Sequence, residues 1–322
     1  MCRRRLILAV LLAAPLAVPA QSYPSKVVRI IVPYEAGGGI DALARTLAER
    51  LTPKWGRPVV VENKTGAAGI IGTDAVAKAA PDGHTLLVTS ESPITSNPFL
   101  FEKLPYDPMR ELAPISELIS LPQMVLAHPS VPAASLKDLL EQAKARPNAF
   151  NYASYGSGSL PHLLFEGLKS KAGVQITQVP YKGIIPALQA ILAGEVQMTM
   201  VGAALSQGHI QAGKLKPLAI ARKDRLPALP SVPTLAEAGF SDVDPHESWF
   251  GLFATAGTPA AVIDRIHRDA VEVFADPAVR ERVVQARGFD PVFSAPEEFA
   301  KFIEADMRQK QRLIRISGAK AE

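Results

Sequence analysis

Apolar residues change their period along this chain, and the changes mark out its elements. Residues 26–33 carry the run Val27-Val28-Arg29-Ile30-Ile31-Val32. A short run so rich in β-branched side chains predicts a buried strand. The period then switches: Leu43, Leu47 and Leu51 stand four apart, on one face of a helix that Pro53 is expected to stop. A second strand is predicted over 58–62, a helix from the turn at 63–69 through Ala80, a tight turn at Pro81-Asp82-Gly83 and a third strand over 84–90. Strand, helix, strand, helix, strand is the grammar of a parallel α/β sheet.

The grammar restarts further on. Strands are predicted over 123–127, 150–153, 176–180, 197–201 and 215–221. Between them lie helices from Ser135, which caps, to Ala145, over 161–171 and over 186–193. No fixed sequence period relates the two halves, so they read as two α/β units and not as a repeat. Residues 226–239 hold Pro227, Pro230 and Pro233 and exclude a regular central element, apart from a short helix at 234–238. A strand over 248–254 and helices over 259–274, 277–286 and 296–316 follow. The late strand predicts a return crossing, with the helical tail packed back on the first unit. Domain one is then discontinuous, residues 26–124 plus 245–322, and residues 125–244 form domain two.

The first twenty residues stand outside this pattern. Arg3-Arg4-Arg5 precede an apolar run from Leu6 to Val18 that ends in Val18-Pro19-Ala20, the layout of an export signal cleaved before Gln21. The run is short for a bilayer span, and no later segment reaches such a length without charges. The reading is a soluble exported protein with no stable membrane insertion. Cys2, the single cysteine, leaves with the signal, so disulfides, a thiol nucleophile and Cys-ligated metals are excluded from the mature chain. Removing the three arginines leaves 32 basic against 31 acidic residues. That balance, with no basic stripe interleaved with aromatics, argues against nucleic acid.

The candidate chemistry lies in two glycine-rich turns, each between a strand and a helix. One is Pro33-Tyr34-Glu35-Ala36-Gly37-Gly38-Gly39-Ile40-Asp41; the other is Tyr155-Gly156-Ser157-Gly158-Ser159-Leu160-Pro161-His162. A helix N-terminus has free N–H groups and partial positive charge, and glycine lets a ligand approach it, so such a turn suits an anion. Asp41, in the first helical turn, is expected to organise its loop more than to touch an anion. Neither turn fits a phosphate P-loop, a dinucleotide fingerprint or a Gly-x-Ser-x-Gly nucleophile elbow. The six histidines, His84, His128, His162, His209, His246 and His267, show no metal-ligand pair. No metal, cofactor or catalytic residue is predicted.

The same residues, in order, resemble the Bug family, the TctC-like extracytoplasmic receptors of tripartite tricarboxylate transporters. The similarity runs through Pro33-Tyr34 with Gly37-Gly38, Asp41 and Ala44-Arg45. It continues in the block Glu62-Asn63-Lys64-Thr65-Gly66-Ala67-Ala68-Gly69, in Pro81-Asp82-Gly83-His84-Thr85-Leu86-Leu87 and in Leu104-Pro105-Tyr106-Asp107. It extends through Ser157-Gly158-Ser159 with His162-Leu163, Val179-Pro180-Tyr181-Lys182-Gly183 and residues 229–239. The resemblance implies a two-domain, type II periplasmic binding fold, each domain a mostly parallel sheet flanked by helices, that closes like a flytrap on a small carboxylate. It implies a monomer that delivers its ligand to membrane permease subunits. Ligand contacts are expected from the first turn at Tyr34, Ala36, Gly37, Gly38, Gly39 and Asp41. Others are expected at Gly66, Ala67, Gly69, Ser90 and Glu91. The second unit is expected to add Ser157, Gly158, Ser159, His162, Tyr181, Lys182 and Gly202.

The chain departs from the family pattern at Gln189, Ala193, Met198, Gly202 and Glu91. Glu91 after the third strand replaces small or hydroxyl residues. A carboxylate at the pocket disfavours a polyanion and favours an amine or amide, whereas Lys182 could pair with a distal carboxylate. Two rival readings stay open: a sensing module for a membrane signalling partner, and a secreted hydrolase using Ser157 with His162.

Overall fold

The protein is described by a computed structural model that covers residues 23–156, 158–243 and 247–320. The expected export segment with Cys2, Ser157 and His246 lie outside the described residues. The chain first runs through β1 (Val28–Val32), α1 (Gly39–Trp55), β2 (Val59–Asn63), α2 (Ile70–Ala77), β3 (Thr85–Ser90), α3 (Asn97–Leu100), α4 (Pro108–Glu111) and β4 (Leu112–Leu121). It crosses at Pro122 into β5 (Gln123–Ala127), α5 (Leu136–Ala145), β6 (Asn151–Ser154), α6 (Leu160–Ala172), β7 (Thr177–Pro180), α7 (Ile184–Leu192), β8 (Met198–Gly202), α8 (Ala203–Gln211) and β9 (Lys216–Ala221). It returns through β10 (Ser248–Thr255), α9 (Ala260–Ala275), α10 (Pro277–Val279), β11 (Asp290–Pro291) and α11 (Pro296–Ser317).

Two sheets result, ordered β11-β4-β10-β3-β1-β2 and β7-β6-β8-β5-β9. Both follow one rule. The strand inserted between the third and fourth is the first one made after the chain crosses over. It is β10 in the first sheet and β5 in the second, and each runs antiparallel to both neighbours. The sheets are therefore mixed, with β1, β2 and β3 parallel in one and β6, β7 and β8 parallel in the other. This is the two-domain α/β architecture expected from the sequence, but the sheets are mixed and not mostly parallel, because each takes in a strand from a chain crossing; each sheet with its helices is called a lobe below.

Strand alternation builds a core on both faces of the first sheet. Ile30 and Val32 join Leu43, Leu47 and Leu51 of α1 on one face. Ile31 and Leu87 join Trp249, Phe253 and Phe299 on the other. Each such fully buried side chain contributes about 2 kcal/mol.

Several details differ from expectation. The ten residues of β4 were not predicted, because Pro114, Ser116, Glu117 and Ser120 break the apolar run. Pro114 is accommodated where the register with β10 shifts, the kind of position at which a strand tolerates proline. The helix α8 was also missed. Pro53 does not stop α1, which continues to Trp55 and ends at the left-handed Gly56. Trp55 is buried and donates its indole N–H to Asp269 Oδ2 at 2.7 Å, tying the last turn to α9.

The proline-rich segment packs on the second lobe, where Ile220 and Leu235 exchange strand-like hydrogen bonds with Pro233 and Ile220. Only part of the tail returns to the first lobe. Phe299 and Ile303 of α11 are buried there, whereas Leu313 and Ile314 lie in the core of the second lobe.

Candidate functional site

The carboxyl ends of the parallel strands in both sheets carry loops that meet between the lobes, the position where open α/β sheets place ligands. These loops enclose a cavity of about 210 Å³. Tyr34, Ser90, Glu91, Asn97 and Leu100 wall it from the first lobe, and Tyr155, Gly158, Ser159 and Leu160 from the second.

The first glycine turn is organised by Asp41. Its buried carboxylate accepts hydrogen bonds from Gly37 N at 2.8 Å, Arg45 Nε at 2.8 Å and Asn63 Nδ2 at 2.9 Å. Burial pushes this carboxyl up, but the donors from Arg45, Gly37 and Asn63 outweigh that and hold it below the usual carboxylate range. The Gly37 amide is thus engaged within the protein. Gly39 is required by packing, since a Cβ there would stand 2.6 Å from the Phe289 ring. Gly38 keeps an ordinary φ of −72°, and an added Cβ would meet only the Glu35 carbonyl oxygen, at 3.9 Å.

The next loop stores strain. Gly66, Ala67, Ala68 and Gly69 all have positive φ, 121°, 46°, 51° and 84°. For alanine such a conformation costs about 1–2 kcal/mol per residue. Asn97 holds it by donating Nδ2 to the Ala68 carbonyl at 3.0 Å, and Ala68 faces the cavity. Strain of this kind concentrates where a loop must present its backbone to a ligand.

The second glycine turn is fastened by His162, whose Nδ1 accepts from Gly158 N at 2.9 Å. The Ser159 hydroxyl donates to the Gly156 carbonyl at 2.6 Å, and Ser159 caps α6. Gly158, with φ 74°, lies against Leu100 of the opposite lobe so closely that an added Cβ would collide with Leu100 Cδ1.

Polar groups of the cavity wall are largely neutral. The Tyr34 and Ser90 hydroxyls share a hydrogen bond of 2.6 Å, and burial pushes the Tyr34 phenol up to about 12. Burial, then the nearby Glu91, pushes the Tyr155 phenol up as well. Glu91 is 6% exposed and accepts from Ser248 Oγ at 2.8 Å through Oε2. Burial pushes its carboxyl up, while Lys310 and the Ser248 hydroxyl pull the other way.

The structure therefore brings together Tyr34, Ser90, Glu91, Gly158 and Ser159 of the expected contacts. Gly66, Ala67 and Gly69 flank Ala68, and His162 supports the second turn from behind. Ala36, Gly37 and Gly38 are exposed in the first turn, away from this wall, and Gly39 and Asp41 serve the loop's own structure. Tyr181 reaches Glu195 at 3.5 Å, Lys182 is exposed, and Gly202 caps α8; none of the three lines the cavity. Ala68, Ser92, Asn97, Leu100, Tyr155 and Leu160 line it without having been predicted. Tyr155 stood in the glycine turn already singled out. Asn97 and Leu100 carried no signal, because a π-helical turn at Ser92–Ser96 places them.

A larger cavity, about 470 Å³, lies at the crossover between the lobes and is lined by Glu117, Ser120, Arg222, Glu247 and Phe302. Arg222 bonds Asp290 at 3.1 Å and approaches Glu247 at 3.3 Å. Glu117 is pushed up to about 8 by burial, then by Glu247 and Asp306. Among the described residues no group of three His, Cys, Asp or Glu is placed to hold a metal ion, and no helix is long and apolar enough to cross a membrane.

Comparison with known proteins bears on the family and the fold. The model of the tripartite tricarboxylate transporter family receptor matches residues 43–319. Protein BugT of Bordetella pertussis is 37% identical over 310 residues, 96% of this chain and 94% of that one. The solved structure of R. palustris Rpa4515 with adipate has a TM-score of 0.77 at 29% identity, covering 93% of this chain and 100% of the other. MatC (Rpa3494) from Rhodopseudomonas palustris with bound malate has a TM-score of 0.74 at 29% identity, covering 91% and 100%.

Proposed function

Because the chain belongs to the family of tripartite tricarboxylate transporter receptors, we propose that it captures a small carboxylate between its lobes and delivers it to a membrane permease. Receptors of this family are periplasmic, and the basic, apolar and small-residue layout of residues 1–20 supports export of this chain to the same compartment. The role needs binding and no chemistry. The observation that carries it is the cavity walled by loops at the strand ends of both lobes, with Tyr34, Ser90 and Glu91 on one side and Tyr155, Gly158 and Ser159 on the other.

A ligand that touches both walls favours their approach, and only such differential affinity shifts a hinge equilibrium. The lobes are residues 26–121 with about 248–312, and 123–240. The strand memberships support this division, with the first crossing at Pro122, two residues before the expected boundary. The closed form of the monomer is what the permease would recognise. The solved relatives hold adipate and malate, which supports a carboxylate.

A thermal-shift panel of mono-, di- and tricarboxylates and amino acids tests the proposal, together with native mass spectrometry of the protein as purified. Stabilisation should follow RT ln(1 + [L]/Kd) for at least one small carboxylate. No shift across the panel and no co-purified acid would overturn it.

A further inference from the structure

The larger cavity, at the crossover between the lobes, has a buried acid in its wall that no protein group answers. Glu117 is 7% exposed and lines this cavity of about 470 Å³. Its carboxyl makes no hydrogen bond among the described residues; the bonds of this residue run through its backbone, whose amide donates to Ser294 Oγ at 3.1 Å. The residue opposite it on β10 is Gly251, which has no side chain to offer. A buried carboxyl without a partner is costly, so one that lines a cavity points to a group that arrives from outside.

The other walls decide the chemistry of that group. Arg222 is engaged with acids: Nη1 donates to Asp290 Oδ2 at 3.1 Å, and Nε lies at ion-pair distance, 3.3 Å, from Glu247 Oε1 without the alignment of a hydrogen bond. Lys223, the other cation of the lining, is exposed. Burial, then Glu247 and Asp306, keep Glu117 protonated at neutral pH, so the space beside it is electronegative and favours a cation. Phe302 and Val292 add apolar wall, and the Phe302 ring is held by an edge contact with Trp249 at 5.9 Å between centroids. An aromatic face attracts an ammonium group and covers an apolar body equally well. The volume falls in the range of about 300–1,000 Å³ usual for small-molecule pockets.

We propose that this cavity is a second binding site, for an organic ammonium ion with an apolar body, whose N–H donates to the Glu117 carboxylate while the body lies on Phe302 and Val292. As the ion enters, Glu117 gives its proton to solvent, so the ion pair forms with one proton released and no other bond changed. Glu117 of β4 and Phe302 of α11 bring the first lobe to this occupant, and Arg222, Ala236 and Ser241 bring the second, so it touches both lobes where they cross. The site goes beyond the receptor reading and shares no residue with the wall of the smaller cavity.

Three probes that share one apolar body test this: 2-phenylethylamine, 2-phenylethanol and 3-phenylpropanoate, titrated calorimetrically into wild type and Glu117→Gln. At pH 7 wild type should bind the amine at least about tenfold more tightly than the alcohol or the acid. Titrations in buffers of different ionisation enthalpy should show about one proton released per amine bound, and the affinity should rise about tenfold from pH 6 to pH 7. Glu117→Gln should weaken amine binding at least about tenfold and abolish the proton release. The wild-type ranking and proton count decide the matter if the variant proves unstable. Tightest binding by 3-phenylpropanoate would assign the cavity to Arg222 and an anion, and overturns the inference. Equal binding of amine and alcohol, amine binding without proton release, or no amine binding overturns it as well. Each of these outcomes leaves the receptor reading standing, because that reading is tested by carboxylates at the other cavity.

Discussion

Lys310 Nζ lies 3.3 Å from Asp306 Oδ1, one helical turn back on α11, and both side chains are wholly buried. Asp306 Oδ2 also accepts from Thr95 Oγ1 at 2.7 Å and from the Trp249 indole N–H at 3.1 Å. The pair thus fixes α11 to β10 and to the turn that carries the cavity wall. Lys310→Met should cost about 3–5 kcal/mol in urea unfolding, because it leaves a buried carboxylate uncompensated. Adding Asp306→Asn removes that charge but keeps an acceptor for Thr95 and Trp249, and should recover roughly half of the loss. Equal stability of the single and double variants would refute the account.

Glu117 gives a pH signature. Its folded value of about 8 lies above the ordinary 4.5, so between these values the folded state holds a proton that the unfolded chain has lost. Its contribution to stability is complete below about pH 4.5 and is lost as pH rises through about 8, at up to about 1.4 kcal/mol per pH unit. Glu117→Gln should flatten the wild-type curve in that window. Unfolding free energies at pH 5, 7 and 9 measure the difference, and parallel curves would contradict the assignment.

Gly288 meets Ala204 across the lobes, where an added Cβ would collide with the Ala204 Cβ. Gly288→Ala should therefore hold the lobes apart, lower affinity for the cavity ligand at least about tenfold and abolish ligand-dependent compaction in small-angle scattering. Gly213→Ala is the control. It has the same φ of 68° with nothing within 4 Å, so it should show the backbone penalty, about 1–2 kcal/mol, with unchanged affinity. Equal binding losses in both variants would mean strain, not collision, is responsible.

Asp41→Ala removes the shared acceptor of Gly37, Arg45 and Asn63. Stability should fall by about 2 kcal/mol, with weaker ligand binding as the first turn loosens. The carboxyl is held below its ordinary 3.8, so the wild-type contribution is present above that pH and is lost as pH falls through the depressed value. Asp41→Asn should lack this acid-side loss. Binding that is untouched by Asp41→Ala would separate the first turn from the ligand.

Legibility in the sequence followed local chemistry. β1 and α1 were readable because Ile30, Ile31, Leu43 and Leu47 repeat at the period of their own element. Tyr34, Ser90, Glu91, Gly158 and Ser159, expected from the family resemblance, stand in turns or at a strand end and line one cavity. β4 was hidden by buried polar residues whose partners are distant, such as Ser116, which bonds the Ser294 carbonyl 178 residues away. Asp306 and Lys310, four apart on a helix, look in sequence like an ordinary solvated pair; tertiary packing alone makes them core. Asn97 was missed because its role depends on the left-handed backbone of Ala68, which no local residue preference announces.

The helix α11 begins on one lobe and ends in the other, and this changes what the two ends of the described chain can report. Tyr23 is anchored to the first lobe by its hydrogen bond to the Gly83 carbonyl at 2.7 Å and its edge contact with Trp55. Ala319 is buried in the core of the second. A fluorescent donor attached near Tyr23 and an acceptor attached beyond Ala319 would therefore ride on opposite sides of the hinge. Their energy transfer would read the hinge angle without any internal label, so that the protein could serve as its own gauge of ligand concentration.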